Sequence, residues 1–373
     1  MTLSPENLVH YLFERGFATR ESVVDGCVEI SEIARRNRNF KVRQRNGPGY
    51  FLKQVRRWEP ETLRTLQAEA QCYQLAAEHE VFADLRGIVP RFHSWDARRA
   101  VLVTELLEGA ETVAEHHFRS DGFPVSVAEQ LGRAFGSYHR KAAANGPPAV
   151  NGLFPRRAAW ALSLHDMPPQ SVQDASGGIL QMLGMIRQFP QFAESFEKLR
   201  AAWHADAVIH SDIKWDNCLL CTGPDGHPSL KVVDWEMADW GDSCWDVAGI
   251  FSAYLSFWVQ SLPAFWVQSL PANGLSNPNA LVEQTRFPIE RMQPAIRAFW
   301  STYQECRGVS GQASRDLLQR SVRYAGARNI QTAFEALQTL PQAHSGTILL
   351  LQLSMNVLAN PDEAARELLG IEP

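Results

Sequence analysis

The sequence predicts an α+β protein with two lobes, a smaller first lobe built on an antiparallel sheet and a larger, mainly helical second lobe. Short apolar runs separated by polar turns fill the stretch 1–107, interrupted by one long helical pattern. Helical periodicity then dominates the stretch 108–373. A chain of 373 residues is long enough to give each lobe a substantial core. We place the lobe boundary after residue 107, where the pattern changes from short apolar runs to helical periodicity.

Composition excludes several classes of protein. The net charge of −5 provides no bulk basic surface for nucleic acid. The N-terminus lacks a cationic start followed by an apolar core, and the longest apolar runs are too short to span a bilayer, so we expect neither a secretory signal nor a membrane segment. Six scattered cysteines make no disulfide framework, and the lone C-x-x-C of Cys218 and Cys221 is interpreted as two structural thiols. These features favour a reducing, cytoplasmic location.

The first lobe is predicted to begin with a helix, because Ser4 can cap it and Pro5 suits its first turn. This helix should pack on the outside of the sheet. Strands and turns then alternate up to the boundary, around one helix that carries apolar residues at helical spacing. The predicted elements are strand Val28–Ala34, polar turn Arg35–Asn39, strand Lys41–Arg45, turn Asn46–Gly49, strand Tyr50–Val55, helix Glu61–Glu80, and strands Val89–Phe92 and Ala100–Leu106.

The second lobe is predicted to be helical on both sides of a short strand-rich region. A capping-box pattern at Ser126–Glu129 starts one helix, and Asn360–Pro361 starts the last. One oddity is a tandem repeat, since Phe257–Ala264 recurs at once as Phe265–Ala272. Two copies are too few for a solenoid, so the repeat is interpreted as a local extension of a loop or helix end, with a lid or a Trp-rich partner surface as alternatives.

Polar residues that suit phosphoryl transfer follow two short apolar runs. The stretch 207–220 reads A-V-I-H-S-D-I-K-W-D-N-C-L-L, and Asp234 ends a second run downstream. Phosphoryl transfer needs an acid to accept the hydroxyl proton and hard oxygen ligands for Mg²⁺. The H-x-D…N spacing therefore predicts a kinase-type phosphotransferase in which Asp212 accepts the proton and Asn217 and Asp234 bind the metal. Lys214, between Asp212 and Asn217, is a second catalytic candidate because its charge could neutralise the transferred group.

These motifs resemble one known family. The stretch I-H-S-D-I-K-W-D-N-C-L-L, followed by V-V-D-W-E-M-A-D-W-G-D-S-C-W-D-V-A, resembles the aminoglycoside phosphotransferase and choline kinase branch of the protein kinase-like fold. The resemblance covers residues 28 to 255, with a compatible helical tail. It implies an ATP- and Mg²⁺-dependent enzyme that phosphorylates an alcohol.

The resemblance also implies roles for residues of the first lobe. Lys53 in Y-F-L-K-Q-V matches the strand lysine that holds the α- and β-phosphates. Glu69 matches its ion-pair partner, with Glu61 as a rival. The stretch V-L-V-T-E-L-L matches the strand and hinge beside the adenine, where Glu105 and Leu107 would offer backbone groups. In the second lobe, Asp246 matches an acid that braces the catalytic loop.

The sequence departs from the family's pattern in three features, of which the last two leave the acceptor open. The turn Arg35–Asn39 lacks the G-x-G-x-x-G of a phosphate-covering loop, Lys214 is typical of protein kinases, and the sequence shows no acidic patch for a polycationic antibiotic. The family favours a small metabolite or antibiotic. Lys214 and the basic R-R-N-R-N hairpin favour a peptide Ser or Thr, as in lanthipeptide pathways where a partner lyase eliminates the phosphate, although the hairpin also fits a solvated face.

Two further hypotheses involve no catalysis. A kinase-like binding module would lack a catalytic residue, and none is missing here. A scaffold based on the Trp-rich repeat has only that repeat to support it.

Overall fold

The computed structural model describes residues 2–34, 36–145, 154–222, 228–262 and 285–373. The whole second copy of the tandem repeat, together with the last two residues of the first copy, therefore lies outside the described residues, and the interpretation of the repeat stays a prediction. The chain forms two compact units. The first unit contains Met1–His116 and Asp216–Ala238, and the second contains His117–Trp215 and Asp239–Pro373. The predicted division into lobes 1–107 and 108–373 stays a prediction.

The described elements alternate between strands and helices in the first unit and are mainly helical in the second. The strands are β1 (Val28–Ala34), β2 (Arg38–Gln44), β3 (Tyr50–Gln54), β4 (Phe92–Asp96), β5 (Val101–Glu105), β6 (Glu111–Thr112), β7 (Ala207–Ile209), β8 (Cys218–Thr222), β9 (Pro228–Val232) and β10 (Asp239–Gly241). The first helices are α1 (Pro5–Glu14), α2 (Arg20–Val24), α3 (Pro60–Glu78), α4 (Ala83–Ile88), α5 (Val113–Ser120), α6 (Val125–Asn145), α7 (Gly177–Gln188) and α8 (Pro190–Ala201). The later helices are α9 (Ser243–Gln260), α10 (Ile289–Arg307), α11 (Gly311–Ala336), α12 (Ser345–Ala359) and α13 (Pro361–Glu367).

The first unit is built on a five-stranded antiparallel sheet in the order β1-β2-β3-β5-β4. One face of the sheet is covered by α1, whose buried Leu8 and Leu12 join Phe40, Leu52 and Val103 in one apolar core. Helix α1 begins as predicted at Pro5, and the Asn7 side chain accepts a hydrogen bond from the Ser4 backbone N–H at 2.8 Å. The predicted packing of this helix on the sheet is confirmed.

A second, three-stranded sheet in the order β6-β8-β9 also belongs to the first unit. Strand β9 ends at Val232, and the 3₁₀ turn Trp235–Met237 follows and packs against α3. The buried Trp235 ring fixes this turn by donating a hydrogen bond from its Nε1 to the Val232 carbonyl at 3.0 Å. Both sides of Asp234 are thereby anchored within this unit.

The second unit is predominantly helical in its described part, with β7 and β10 forming a two-stranded antiparallel ribbon. Helix α9 is buried over most of its length, and α11 packs along it. Asp242 caps α9 by accepting a hydrogen bond from the Cys244 backbone N–H at 3.0 Å. Within the described residues, no helix combines the length and the apolar character needed to cross a bilayer.

Two sequence-based assignments in the first unit are wrong. Strand β2 begins at Arg38, since Arg38 and Asn39 pair with Ala34 and Ile33 and shorten the predicted polar turn. The strand predicted at Val89–Phe92 is misplaced, because residues 89–91 lie outside any strand. A short helix, α4, precedes these residues, and β4 starts only at Phe92 and runs to Asp96. By contrast, the predicted long helix is confirmed as α3, and the α+β fold class with its sheet and helical remainder is confirmed.

Candidate active site

A lysine bridges two carboxylates in the first unit. Lys53 lies on β3, and its side chain is only 11% exposed. Its Nζ is 2.6 Å from Glu69 Oε2 on α3 and 2.5 Å from Asp234 Oδ1 after β9. Glu61, the rival partner, lies exposed in the first turn of α3. The predicted ion pair between Lys53 and Glu69 is confirmed, whereas the phosphate-binding role of Lys53 stays a prediction.

The electrostatics of this bridge reflect burial and charge together. Burial raises the pKa of Glu69 to about 7, even though the Lys53 ammonium lowers it. Burial alone would lower the pKa of Lys53, but Glu69 and Asp234 reverse the shift and raise it. Lys53 therefore carries its positive charge at neutral pH. A cation in this place can donate hydrogen bonds to anionic oxygens.

Three carboxylates lie close together around this lysine. One oxygen each from Glu69, Asp234 and Glu236 falls within 4.8 Å of the others. Asp234 has φ +69°, a left-handed conformation that is uncommon for residues other than glycine and that turns the chain sharply after β9. The Arg36 guanidinium contacts Glu236 Oε1 at 3.0 Å. Sequence reasoning assigned no role to Glu236, although D-W-E placed it two residues after Asp234.

Asn217 is held next to this group by backbone pairing. It is buried, and its carbonyl accepts a hydrogen bond from the Val233 N–H at 2.9 Å, directly before Asp234. The following residue, Cys218, pairs with Val232 at the start of the β8-β9 hairpin. The carboxylate and amide oxygens of Asp234, Glu236 and Asn217 are donors that suit Mg²⁺, so the residues present fit this ion. The metal-binding roles of Asn217 and Asp234 stay predictions.

The hinge stretch borders a cavity in the first unit. Glu105, Leu106 and Leu107 are among the residues that line this space of about 710 Å³, together with Tyr73 of α3. Lys53 is not among its lining residues. The Glu105 backbone N–H donates to the Arg91 carbonyl at 2.9 Å, so that group is already used within the sheet edge. The predicted adenine contacts of Glu105 and Leu107 stay predictions.

In the second unit, residues 210–214 form what we call the Asp212 loop. The Asp246 carboxylate braces this loop, as predicted, by accepting hydrogen bonds from the backbone N–H groups of His210 at 2.7 Å and Ser211 at 3.0 Å. Burial would raise the pKa of Asp246, but the His139 ring, whose Nε2 lies 3.6 Å from Oδ2, and the hydrogen bond from the His210 backbone N–H hold it below its ordinary value. The loop is thus anchored to α9 by an ionised acid.

The close approach of α9 to the same loop depends on a small residue. A Cβ atom at Gly249 would lie 2.7 Å from the Ile213 carbonyl oxygen and 2.9 Å from the Ile213 Cβ. Both distances are shorter than real Cβ contacts allow, so a larger residue would push the loop away from the helix. Gly249 therefore helps to set the position of the backbone beside Asp212.

The Asp212 carboxylate is surrounded by polar groups of the second unit. Lys214 Nζ lies 2.9 Å from Asp212 Oδ2 and 3.3 Å from Glu335 Oε2. These two carboxylates outweigh the effect of burial and raise the pKa of Lys214, which stays charged. On the other side of Asp212, an Arg328 guanidinium nitrogen lies 3.6 Å from Oδ1. Sequence reasoning found Lys214 but missed Arg328 and Glu335.

Comparisons with known proteins identify a family and a fold. A sequence profile of the phosphotransferase enzyme family matches residues 29–281. A choline kinase from Cryptosporidium parvum superposes with a TM-score of 0.56 at 10% identity, covering 98% of this chain and 99% of that chain. An ethanolamine kinase from Plasmodium vivax gives 0.54 at 11% identity, covering 95% and 88%. A GDP complex of aminoglycoside 2′-phosphotransferase-IIIa gives 0.51 at 14% identity, covering 94% and 97%.

At these identities the structural neighbours show the fold alone, which is kinase-like as predicted. A search of curated protein sequences finds no match. The family profile spans more than half of the chain and includes Lys53, Asp212, Asn217 and Asp234. The predicted phosphotransferase activity on a hydroxyl group is confirmed at this level. The chain belongs to the phosphotransferase enzyme family.

Proposed function

We propose that this phosphotransferase uses ATP with Mg²⁺ and transfers the γ-phosphoryl group to a hydroxyl group of a small molecule. The observation that carries the proposal is the lysine bridge, in which Lys53 lies 2.6 Å from Glu69 and 2.5 Å from Asp234. A buried, charged lysine next to two carboxylates is suited to hold phosphate oxygens beside a metal ion.

On the nucleotide side, Lys53 binds the α- and β-phosphates while Glu69 keeps its ammonium in place. An ammonium has three donors, so Lys53 can exchange Asp234 for a phosphate oxygen without losing Glu69. Asp234 and Asn217 would hold Mg²⁺, and Glu236 is a further candidate ligand. When bound, Mg²⁺ neutralises charge on the phosphate oxygens.

On the acceptor side, Asp212 receives a hydrogen bond from the acceptor hydroxyl and takes its proton. The hydroxyl oxygen forms the new bond to the γ-phosphorus, while the bond from that phosphorus to the bridging oxygen of ADP breaks. Lys214, which stays charged, neutralises the transferred group. Its contacts with Asp212 and Glu335 keep the ammonium beside the proton acceptor.

A small acceptor is favoured over a peptide by the charge pairing of the basic hairpin. Three of its arginines lie against carboxylates of the same unit, since Arg36 contacts Glu236, Arg38 contacts Glu32, and Arg43 contacts Glu29 and Glu108. Pairing of this kind supports a solvated hairpin face and leaves less free positive charge for an acidic partner. A peptide Ser or Thr acceptor, with its partner lyase, is the alternative.

An acceptor screen tests this function. Purified protein would be incubated with MgATP and two panels, small alcohols and Ser- or Thr-containing peptides, with ADP release and product mass as readouts. We expect a phosphorylated small alcohol, no product with Asp212→Asn, and retained nucleotide binding in that variant. A phosphopeptide alone would overturn the small-acceptor proposal. ATP binding without any transfer, identical in wild type and Asp212→Asn, would instead favour a non-catalytic binding module.

The cysteines support a proposed cytoplasmic location. All six are free thiols, and Cys72, Cys218 and Cys244 are buried. Free thiols persist in reducing compartments. Thiol labelling of the protein in intact cells would check this expectation.

A further inference from the structure

One face of α11 carries three polar residues that reach the Asp212 loop. Arg328, Gln331 and Glu335 are spaced by three and four positions, which places them on the same side of a helix. Arg328 and Gln331 are buried, and the Glu335 side chain is 33% exposed. Buried polar groups on a helix are costly unless they are hydrogen-bonded, so the partners of these three residues matter.

Arg328 holds the backbone on both sides of Asp212. Its Nη1 donates to the Ser211 carbonyl at 3.2 Å, and its Nη2 donates to the Ile213 carbonyl at 2.5 Å. Its Nη2 also lies 3.6 Å from Asp212 Oδ1. The Arg328 Cζ atom lies over the Trp245 ring, 5.4 Å from the ring centroid. One planar group therefore fixes two carbonyls and faces the carboxylate between them.

Gln331 and Glu335 extend these contacts to the carboxylate and to Lys214. Gln331 accepts a hydrogen bond from Arg328 at 2.8 Å and donates to Glu335 at 2.8 Å and to Asp212 Oδ1 at 3.5 Å. Glu335 Oε2 then contacts Lys214 at 3.3 Å. The three side chains make a continuous chain of contacts from the loop backbone to the lysine.

The loop needs external support because part of its backbone is in an uncommon conformation. Ser211 has φ +69°, a left-handed value that costs free energy for a residue with a Cβ and persists only when its surroundings enforce it. The Ser211 carbonyl accepts from Arg328 and also from Trp245 Nε1 at 2.9 Å. Loss of Arg328 would leave the Ile213 carbonyl without this buried donor, and the loop would be free to relax.

We propose that Arg328, Gln331 and Glu335 form a positioning cluster. Arg328 holds the Asp212 carboxylate in its catalytic orientation, and Glu335 holds Lys214 beside it. The inference rests on the proposed function, because it assumes that Asp212 accepts the acceptor proton. Arg328 is a positioning residue, since it acts through Asp212 and its loop. Lysine cannot replace it fully, because only a planar fork can span both carbonyls at once.

Hydrogen exchange of the Asp212 loop, measured without nucleotide or acceptor, tests the positioning cluster independently of activity. Arg328→Gln should speed exchange of the loop amides by more than about tenfold, and Arg328→Lys should give an intermediate value. The control is Arg323→Gln, an exposed arginine on the same helix, which should leave exchange unchanged. Wild-type exchange in Arg328→Gln would overturn the inference.

Kinetics separate positioning from a general structural role. Arg328→Gln should lower kcat by about 100-fold, while KM for ATP changes by less than about twofold. Arg328→Lys should recover thermal stability but only a minor part of kcat. Equal kcat in Arg328→Gln and wild type would refute the positioning role, as would complete rescue by lysine.

A second variant covers the case in which Arg328→Gln does not fold. Glu335→Gln removes one charge at a partly exposed position, and it should lower kcat by about tenfold with unchanged ATP affinity. A wild-type kcat in Glu335→Gln would contradict the assignment of Glu335. If the wild-type protein transfers phosphate to no acceptor, the proposed function fails, whereas the exchange result still supports or refutes the anchoring of the loop.

Discussion

Replacement of Lys53 by methionine should separate the stability of the first unit from its nucleotide binding. Methionine keeps a long unbranched side chain but removes the ammonium that faces Glu69, a side chain only 4% exposed. Breaking a buried ion pair by removing one partner costs about 3–5 kcal/mol, because the other charge stays buried. Glu69 can escape part of this cost by taking up a proton, since its pKa is already raised to about 7.

We therefore expect Lys53→Met to lower the free energy of unfolding by about 3 kcal/mol at neutral pH. The contact with Asp234 adds little, because that side chain is 39% exposed and solvent screens it. The double variant Lys53→Met/Glu69→Gln removes the stranded charge and should recover stability to within about 1 kcal/mol of wild type. Both variants should lose MgATP affinity by about 10- to 100-fold, since a hydrogen bond to a charged group contributes about 1.5–3 kcal/mol.

Urea unfolding followed by tryptophan fluorescence gives the stabilities, and titration calorimetry gives the affinities. Lys41→Met on the neighbouring strand β2 is the control, and its stability should stay within about 0.5 kcal/mol of wild type. Wild-type stability in Lys53→Met would show that the buried ion pair is not stabilising. Wild-type MgATP affinity in the double variant would show that Lys53 does not hold the phosphates.

Other residues give three further expectations. Asp234→Ala should weaken Mg²⁺-dependent ATP binding by about tenfold or more, and an unchanged dependence of affinity on Mg²⁺ would exclude Asp234 as a metal ligand. The folded-state pKa of Glu69 is raised to about 7, so its carboxylate is ionised above that pH and protonated below it. ATP affinity should therefore fall as the pH is lowered from about 8 to about 6. Glu69→Gln should flatten this profile, and a slope that persists in the variant would show that another group titrates. Asp246→Asn should destabilise the protein by about 1–3 kcal/mol and lower kcat, because two backbone N–H groups of the Asp212 loop lose a charged acceptor. Unfolding curves equal to those of wild type would contradict the bracing role.

Much of the first unit was predictable because local patterns and long-range contacts agree there. The short apolar run that follows the turn Asn46–Gly49 placed Lys53 inside a strand, and helical spacing placed Glu69 in the helix that follows. These two assignments are enough to predict an ion pair, because a lysine on a strand can reach a glutamate on the helix that packs beside the sheet. The choice of Glu69 over Glu61 required the structure, since only the packing of α3 shows which turn of the helix is buried.

Sequence patterns failed to identify residues whose roles depend on contacts between distant parts of the chain. Arg328, Gln331 and Glu335 resemble the solvated face of an amphipathic helix, and more than 100 positions separate each from the loop that it contacts. Nothing local distinguishes a buried arginine from an exposed one. The misplaced strand at Val89–Phe92 has a similar cause, because a short apolar run fits the end of a helix as well as a strand.

The role of Asp212 is tested most directly by comparing Asp212→Ala with wild type in two assays on the same preparations, MgATP affinity by calorimetry and phosphoryl transfer to the first acceptor identified in the screen. If Asp212 accepts the hydroxyl proton, the variant binds MgATP with an affinity within about twofold of wild type and its transfer rate falls by at least about 100-fold. Turnover of Asp212→Ala at the wild-type rate would contradict this assignment.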